Sequence, residues 1–199
     1  MRIVVAGGAG RTGRAVVDRG LSAGYDMVAF ARRWSGDAPS GLTVALGDAT
    51  DESAVRGAVE GAGAVISTLG APGLGPTTVL SDATRALAGV LAATGPPRLV
   101  VVMTVGVLLT KVDPTYAHVT DEHRKNLEML REGQLDWVAV VAPEIVDAPA
   151  NGLVEVREDA RGPTWQITRG DLADVLLAEA SGTLHHRALL GVSNAPDAR

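Results

Sequence analysis

Cysteine is absent from this chain of 199 residues, and aromatic residues make up only 3% of it. Without thiols the protein forms no disulfide and no zinc–thiolate site, and it has no cysteine nucleophile. Three Trp, two Tyr and one Phe are too few for an aromatic cage. A ligand pocket in this protein must therefore be lined by aliphatic side chains and backbone.

Basic residues are neither abundant nor clustered, since 18 Lys and Arg stand against 23 Asp and Glu. Nucleic-acid-binding proteins usually carry a basic stripe, so we expect no nucleic-acid partner. No apolar run is long enough to span a membrane, and no secretory apolar segment follows Met1. We expect a cytoplasmic protein with no membrane contact, folded as one domain over residues 1–199.

The histidines give no indication of a metal site. His185 and His186 are neighbours on a predicted strand and would point to opposite faces. His118 and His123 have no carboxylate partner at a ligand spacing. We therefore expect no bound metal.

A glycine-rich turn follows the first apolar run. Gly7, Gly10 and Gly13 come directly after residues 3–6 and open a helical pattern that closes at Gly24. A strand, a G-x-x-G-x-x-G turn and a helix form the arrangement in which a helix N-terminus binds the diphosphate of a dinucleotide. A turn with a purely structural purpose is the alternative that the residues leave open.

Strands and helices alternate along the chain. Strands are predicted at residues 3–6, 26–30, 42–46, 64–67, 99–103, 137–141 and 188–192, and helices follow most of them. The strands are mostly unbroken apolar runs, which is typical of parallel strands covered on both faces. The pattern predicts an α/β, Rossmann-type doubly wound sheet, mainly parallel, with helices on both faces.

The same pattern predicts several boundaries. Asp51 can cap a helix, residues 95–97 end another, and Thr168 with Asp171 resembles a capping box. The segment 152–158 could pair with a strand at 164–168. Ligands in such folds bind at the carboxyl ends of the strands, so the loops that follow them are expected to surround one crevice.

The end of the second strand indicates which nucleotide binds. Dinucleotide sites that prefer NAD usually have an acid there, whereas this chain reads Phe30-Ala31-Arg32-Arg33. Two guanidinium groups suit a 2′-phosphate, and Thr12 adds a hydroxyl within the turn. The sequence therefore predicts NADP (NADPH) as the cofactor, with solvated surface charge as the alternative.

The chain resembles the atypical short-chain dehydrogenase/reductases, a NAD(P)-binding, NmrA-like group, and is most similar to their biliverdin-IXβ reductase/flavin reductase branch. The resemblance covers nearly the whole chain and rests on the glycine turn, Arg32, Gly47-Asp48, Leu69-Gly70 and the segments 76–81, 113–115, 119–123, 130–132 and 138–140. The segments 76–81 and 119–123 are more specific than the glycine turn.

The resemblance implies a role for each matching position. The cofactor-binding residues would be Gly7, Gly10, Arg11, Thr12 and Gly13 at the diphosphate and ribose, Arg32 and Arg33 at the 2′-phosphate, Asp48 and Ala49 at adenine, Leu69 and Gly70 along the cofactor, and Thr104, His123 and Pro143 around the nicotinamide. Residues 105–118 and 143–163 would form substrate-side loops.

The chain also departs from these relatives. Val105 stands where they have serine, and Glu144 stands where they have histidine. The Tyr-x-x-x-Lys pair of ordinary short-chain reductases is missing, because Tyr116 is followed four residues later by Thr120. Carbonyl reduction needs a positioned proton donor, whereas flavin reduction takes hydride from the cofactor and can take its proton from solvent.

We therefore expect an NADPH-dependent oxidoreductase that passes hydride to a flavin or related planar acceptor such as FMN or FAD, as a monomer or homodimer. The candidate catalytic residues are His123, Thr104, Glu144 and Tyr116. Helical spacing alone predicts that His123 is a packed residue. Glu144 could be a carboxylate at the rim of the site or a proton shuttle, and Tyr116 could be a lid residue or a surface aromatic. Two other functions stay open: a non-catalytic NADP-binding redox sensor of the NmrA kind, and a specialised-metabolism reductase or isomerase.

Overall fold

The computed structural model describes residues 1–94 and 97–196, which contain an eight-stranded sheet with helices on both faces. The strands are β1 (Arg2–Ala6), β2 (Asp26–Ala31), β3 (Leu42–Leu46), β4 (Ala64–Ser67), β5 (Arg98–Thr104), β6 (Trp137–Ala142), β7 (Glu144–Val146), β8 (Val154–Glu158), β9 (Gln166–Thr168) and β10 (Ala188–Asn194). The helices are α1 (Arg11–Ser22), α2 (Glu52–Ala58), α3 (Val79–Thr94), α4 (Ala117–Glu132) and α5 (Arg169–Ser181), and short 3-10 helices lie at Val105–Leu108 and Pro114–Tyr116.

The strand order is β3-β2-β1-β4-β5-β6-β10-β8. All neighbours pair in parallel except β8, which is antiparallel to β10. The chain builds outward from β1 to β3 and then crosses to the other side of β1, where β4 lies. This reversal of strand order opens a crevice at the carboxyl ends of β1 and β4, where ligands bind in such sheets. The predicted doubly wound Rossmann fold is confirmed.

Burial on both faces explains the unbroken apolar strands. In β1, Ile3 and Val5 pack in the layer that contains α1 and α5, whereas Val4 and Ala6 pack in the layer that contains α2, α3 and α4. Successive side chains of a strand point to opposite faces, so a strand between two helical layers needs an apolar residue at every position.

The long connection after β6 folds differently from the prediction. The pairing of 152–158 with 164–168 is wrong: β8 pairs with β10, with Val156 opposite Val192. In turn, β9 pairs in parallel with β7, with Ile145 opposite Ile167. The seven residues of β10 would otherwise leave a long unpaired edge, and β8 covers it.

Thr168 caps α5 as predicted, but only half of the capping box forms. Its Oγ1 accepts from the backbone N of Asp171 at 3.1 Å, while its own backbone N donates to Oδ1 of Asn194 at 2.7 Å. The buried carboxylate of Asp171 instead accepts from the backbone N of Asn151 and of Gly152, at 3.2 and 2.9 Å. Asp171 therefore ties the β7–β8 connection to α5.

The other helix boundaries agree with their sequence signals where these are described. Asp51 caps α2 by accepting from the backbone N of Ser53 at 2.8 Å. The predicted stop at 95–97 falls partly on Gly95 and Pro96, which lie outside the described residues. None of the helices in the described ranges has both the length and the apolarity that crossing a bilayer requires.

Candidate functional site

A cavity of about 520 Å³ lies at the carboxyl ends of β1, β4, β5 and β6. Its walls come from the start of α1 (Gly10, Arg11, Thr12), the segment after β4 (Thr68, Leu69, Gly70), the end of β5 (Val102, Met103, Thr104), the end of β6 and the segment after it (Ala142, Pro143, Ile145), and from His123 of α4 and Arg169 of α5. The loops after β2 and β3, which we expected around the same crevice, lie at this edge of the sheet but do not line the cavity.

The glycine turn leaves the N-terminus of α1 open toward the cavity. Gly7 has a φ of +82°, and a Cβ on Gly13 would overlap the carbonyl oxygen of Gly7. Gly10 is the N-cap and provides no side-chain hydrogen bond, so within the described residues the first N–H groups of α1 are open to a ligand. Gly8, which sequence reasoning did not single out, also has no room for a side chain, because its Cβ would lie 2.8 Å from that of Ala29.

Arg169 is a cavity residue that the sequence analysis missed. Its side chain is only 12% exposed. Nη1 donates to Oγ1 of Thr12 at 2.8 Å and Nε donates to Oδ1 of Asp147 at 2.5 Å. Nη2 is buried and has no partner among the described residues. A cation in the first turn of a helix opposes the helix dipole, and this was the signal that could have identified it.

Asp147 joins two arginines of the cavity wall, Arg11 and Arg169. Its other oxygen, Oδ2, lies 3.2 Å from Nη1 of Arg11. The hydrogen bond from Arg169, and then the charges of Arg169 and Arg11, hold the pKa of the Asp147 carboxyl below its ordinary value. The carboxylate is therefore ionised at neutral pH, and it partly neutralises two cations at the edge of the site.

His123 reaches the cavity from α4 and is uncharged there. It is 7% exposed, and its Nδ1 has no hydrogen-bond partner in the described part of the chain. Burial lowers the pKa of His123 from 6.5 to about 4, against an opposing effect of Glu122. His123 shares the cavity wall with Thr104 and Pro143, the positions that the resemblance groups around the nicotinamide.

Tyr116 and Glu144 lie outside the cavity wall. Tyr116 is 54% exposed on the short 3-10 helix before α4. Glu144 is exposed and accepts from Nε2 of Gln166 at 3.1 Å. Its neighbours Pro143 and Ile145 do line the cavity, while the side chain of Glu144 is turned to the β7–β9 pair. The structure does not bring these two candidates to His123 and Thr104.

Arg32 and Arg33 are exposed at the carboxyl end of β2. Neither makes a hydrogen bond or ion pair within residues 1–94 and 97–196, so their guanidinium groups are available to a ligand. Hydrogen bonds from Thr50 and, to a smaller extent, the charge of Arg32 hold the pKa of Asp48 below its ordinary value. Ala49 is buried in the core.

Arg14 fixes the loop that follows these arginines. Its guanidinium stacks over Trp34, 4.1 Å from the ring centroid, and Nη2 donates to the carbonyl oxygen of Ser35 at 3.1 Å. Since Arg14 belongs to α1, the loop that carries Arg32 and Arg33 is held against the helix whose N-terminus faces the cavity.

Taken as a binding site, the cavity fits a dinucleotide. Open N–H groups at α1 and an unpaired buried N–H of Arg169 are donors that suit a diphosphate. Among the described residues that line it, two are arginines and none is acidic. The described ranges also hold no group of three His, Asp or Glu side chains placed to bind a metal ion.

Comparison with known proteins agrees with this geometry. A family model described as NAD(P)H-binding matches residues 7–181. A proposed NADH-flavin reductase from Streptococcus pneumoniae is 20% identical, with a TM-score of 0.86 over 98% of this chain and 100% of that one. ChuY, an anaerobilin reductase from Escherichia coli O157:H7, is 21% identical, with a TM-score of 0.84 over 100% and 99%.

A short-chain dehydrogenase/reductase from Veillonella parvula is 18% identical, with a TM-score of 0.79 over 97% of this chain and 94% of that one. At such identities the solved structures support the fold. The family match covers most of the chain, and it confirms the NAD(P)-binding family that the sequence resemblance indicated. The chain belongs to the NAD(P)H-binding family.

Proposed function

We propose that the protein is an NADPH-dependent oxidoreductase that transfers hydride to a flavin or a related planar acceptor. The observation that carries this proposal is the cavity wall around Thr104, His123 and Pro143, where the described lining residues offer no ionised acid or base. Such a wall suits a reaction in which the protein orients two ring systems and excludes water. It does not suit reduction of a carbonyl, which needs a proton donor beside the developing alkoxide.

The choice of NADPH rests on Arg32 and Arg33. Both are exposed at the end of β2, where NAD-binding sites place an acid. Their guanidinium groups would hold the 2′-phosphate, and Arg14 would keep their loop in place through Trp34. The name of the streptococcal relative specifies NADH, so the two arginines are the feature that separates the alternatives for this chain.

The acceptor side of the cavity is aliphatic. Val102, Met103, Ala142 and Ile145 provide apolar surface on which a planar ring can lie. A bound nicotinamide supplies the hydride, and solvent supplies the one proton that completes two-electron reduction of a flavin. His123, which is neutral at pH 7, can accept or donate a hydrogen bond without placing a charge beside the rings.

Residues 1–199 would form one domain, with segments 105–118 and 143–163 bordering the acceptor. Pro143 and Ile145 belong to the second segment and line the cavity, which supports that part of the proposal. Two structural relatives are named a flavin reductase and an anaerobilin reductase, and these names support an acceptor of this chemical class.

The test is an anaerobic NADPH oxidation screen with FMN, FAD, riboflavin, quinones and biliverdin, run in parallel with NADH. We expect NADPH to be consumed with at least one planar acceptor, and one equivalent of reduced acceptor to form for each NADPH. Tight NADPH binding with no oxidation by any of these acceptors would overturn the proposal.

The absence of an ionised group at the nicotinamide end also favours a second candidate, a redox sensor that binds NADP without turnover. A sensor should bind a protein partner differently when NADPH replaces NADP⁺. The same screen separates the two functions, because a sensor gives binding without oxidation, and a pull-down repeated with each nucleotide then tests the partner.

A further inference from the structure

Two side chains hold the guanidinium of Arg169, the first residue of α5. Its Nη1 and Nε are both used, by Thr12 and Asp147, while Nη2 is buried and unpaired among the described residues. A buried guanidinium N–H without an acceptor is costly, so it is expected to have a partner when the protein is at work. The cavity is the space on which Arg169 borders.

The hydrogen bond to Thr12 locates that missing partner. Thr12 lies in the first turn of α1, and its own backbone N–H is one of the free donors at this helix end. A group that accepts from the α1 N-terminus therefore lies within reach of Arg169 as well. Helix N–H groups and a guanidinium together form a recognition surface for phosphate oxygens.

Asp147 provides the second observation. Its carboxylate already bridges Arg169 and Arg11, with distances of 2.5 and 3.2 Å to their nitrogens. It is 61% exposed, so it is held by charge and not by packing. A dianionic diphosphate beside the same two cations would compete with this single carboxylate for their donors.

We propose, on the basis of the proposed function, that Arg169 binds the diphosphate of the cofactor and that Asp147 is the internal counter-ion that the diphosphate replaces. In the free protein Asp147 neutralises the two arginines. In the complex the guanidinium of Arg169 turns from Asp147 and donates to phosphate, and the segment that follows β7 loses its ion pairs to the site. Asp171 still holds that segment at Asn151 and Gly152, so the release is confined to the four residues 147–150.

Arg169 could in principle serve a phosphate of the acceptor, such as that of FMN. The contact with Thr12 favours the cofactor, because the α1 N-terminus is where the diphosphate binds in this fold. Two ligands that lack particular groups separate the two sources. ADP-ribose carries the diphosphate without the nicotinamide, and riboflavin lacks the phosphate of FMN.

The first experiment measures dissociation constants of NADP⁺ and ADP-ribose by titration calorimetry for the wild type, Arg169→Met and Arg169→Lys. Methionine keeps most of the apolar stem, and lysine restores the charge without the guanidinium fork. Arg19→Met is the matched control, because Arg19 also links α1 to α5, through Asp174 at 2.7 Å, but does not line the cavity. We expect Arg169→Met to raise both dissociation constants about tenfold or more. Arg169→Lys should raise them less, and Arg19→Met should leave them unchanged.

The second experiment tests the counter-ion. Asp147→Asn removes the competing charge and should lower the dissociation constants of NADP⁺ and ADP-ribose about two- to fivefold. Asp174→Asn should leave both dissociation constants unchanged. Weaker binding in Asp147→Asn would overturn the proposal, since Asp147 would then support the ligand. Thermal melting of each variant identifies any that fail to fold, and Arg169→Lys then replaces Arg169→Met in the comparison.

A third measurement identifies the phosphate. If Arg169→Met leaves ADP-ribose binding unchanged but removes a preference for FMN over riboflavin, the acceptor phosphate is the partner and the proposal fails. If the wild-type protein binds ADP-ribose through Arg169 but none of the acceptors supports NADPH oxidation, the proposed function alone is overturned. Turnover with unchanged ADP-ribose binding in Arg169→Met would overturn this inference alone.

Discussion

The buried carboxylate of Glu122 accepts two hydrogen bonds from Ser81, from its backbone N at 3.1 Å and from its Oγ at 2.8 Å. This pair joins the first turn of α3 to the middle of α4, one residue before His123. It also connects the segments 76–81 and 119–123, two of those on which the family resemblance rests. The two segments lie apart in sequence but form one contact that sets where His123 enters the cavity.

Replacing Glu122 by glutamine should destabilise the protein. Burial raises the pKa of Glu122, but hydrogen bonds from Lys125 and Ser81 outweigh burial and lower the pKa overall, so the folded state contains the carboxylate. The single oxygen of glutamine can still accept from Ser81, but its NH2 group then faces the ammonium of Lys125, which leaves a buried amide donor without an acceptor. We expect Glu122→Gln to lower the free energy of unfolding by about 1–3 kcal/mol, as measured by urea denaturation at pH 7.

Glu128→Gln is the matched control, because Glu128 lies on the same helix and is exposed. It should change the free energy of unfolding by less than about 0.5 kcal/mol. Equal effects of the two substitutions would contradict the role given to the Glu122–Ser81 pair.

His123 should make the protein less stable in mild acid. In the unfolded chain its pKa is near 6.5, whereas burial lowers the pKa to about 4 in the folded protein. Below pH 6.5 the unfolded state therefore binds a proton that the folded state excludes. The free energy of unfolding falls as the pH decreases from 6.5 to 4, and we expect a loss of about 2 kcal/mol between pH 7 and pH 5.

The measurement is the difference between urea denaturation curves at pH 7 and pH 5 for the wild type and His123→Gln. The substituted protein should lose most of this pH dependence, and His118→Gln, an exposed position on the same helix, should retain it. The carboxylates that also titrate contribute mainly below this window, because the pKa of Glu122 and of Asp171 is lowered. A wild-type protein equally stable at both pH values would show that His123 is not held neutral by burial.

The sheet was predictable from sequence because the apolar pattern of each inner strand reflects the burial of that strand. Residues 64–66 and 137–141 are apolar at every position, and that pattern is typical of strands between two covered faces. The glycine turn was equally local, since Gly7, Gly10 and Gly13 reflect steric constraints within a few residues of one another. Such features need no knowledge of distant parts of the chain.

The incorrect or missing predictions all depend on distant contacts. The partner of β8 is decided by the open edge of β10, which residues 152–158 cannot report. The three residues of β7 are too few to show a period. Arg169 gains its place only because α5 packs beside α1 and brings it to Thr12, 157 positions earlier in the chain. The positive charge at the start of α5 could have indicated Arg169, but its contact with Thr12 follows only from the fold.

The cofactor preference predicts the behaviour of a double substitution. Arg32→Ala with Arg33→Ala removes both cations at the end of β2 and should weaken NADPH binding about tenfold or more. NADH binding should change less than about twofold, because NADH has no 2′-phosphate. The two dissociation constants can be measured from the change in nicotinamide fluorescence, with Arg56→Ala, an exposed arginine on α2, as the control. A parallel loss of NADH and NADPH would mean that these arginines do not distinguish the nucleotides.

The same change, glycine to alanine, should have opposite effects on two helices. In α1, a Cβ on Gly13 would overlap the backbone of the glycine turn, while in α2 a Cβ on Gly57 would meet open space. Gly13→Ala should therefore lower the free energy of unfolding by about 1–3 kcal/mol, since the turn must move to make room. It should also weaken the binding of NADP⁺, because the shift displaces the N–H groups that face the cavity.

Gly57→Ala should raise the free energy of unfolding by up to about 1 kcal/mol through the better helix propensity of alanine, with no effect on NADP⁺ binding. Urea denaturation and calorimetric titration of both variants test the contrast, which would fail if Gly13→Ala were as stable and bound NADP⁺ as tightly as Gly57→Ala.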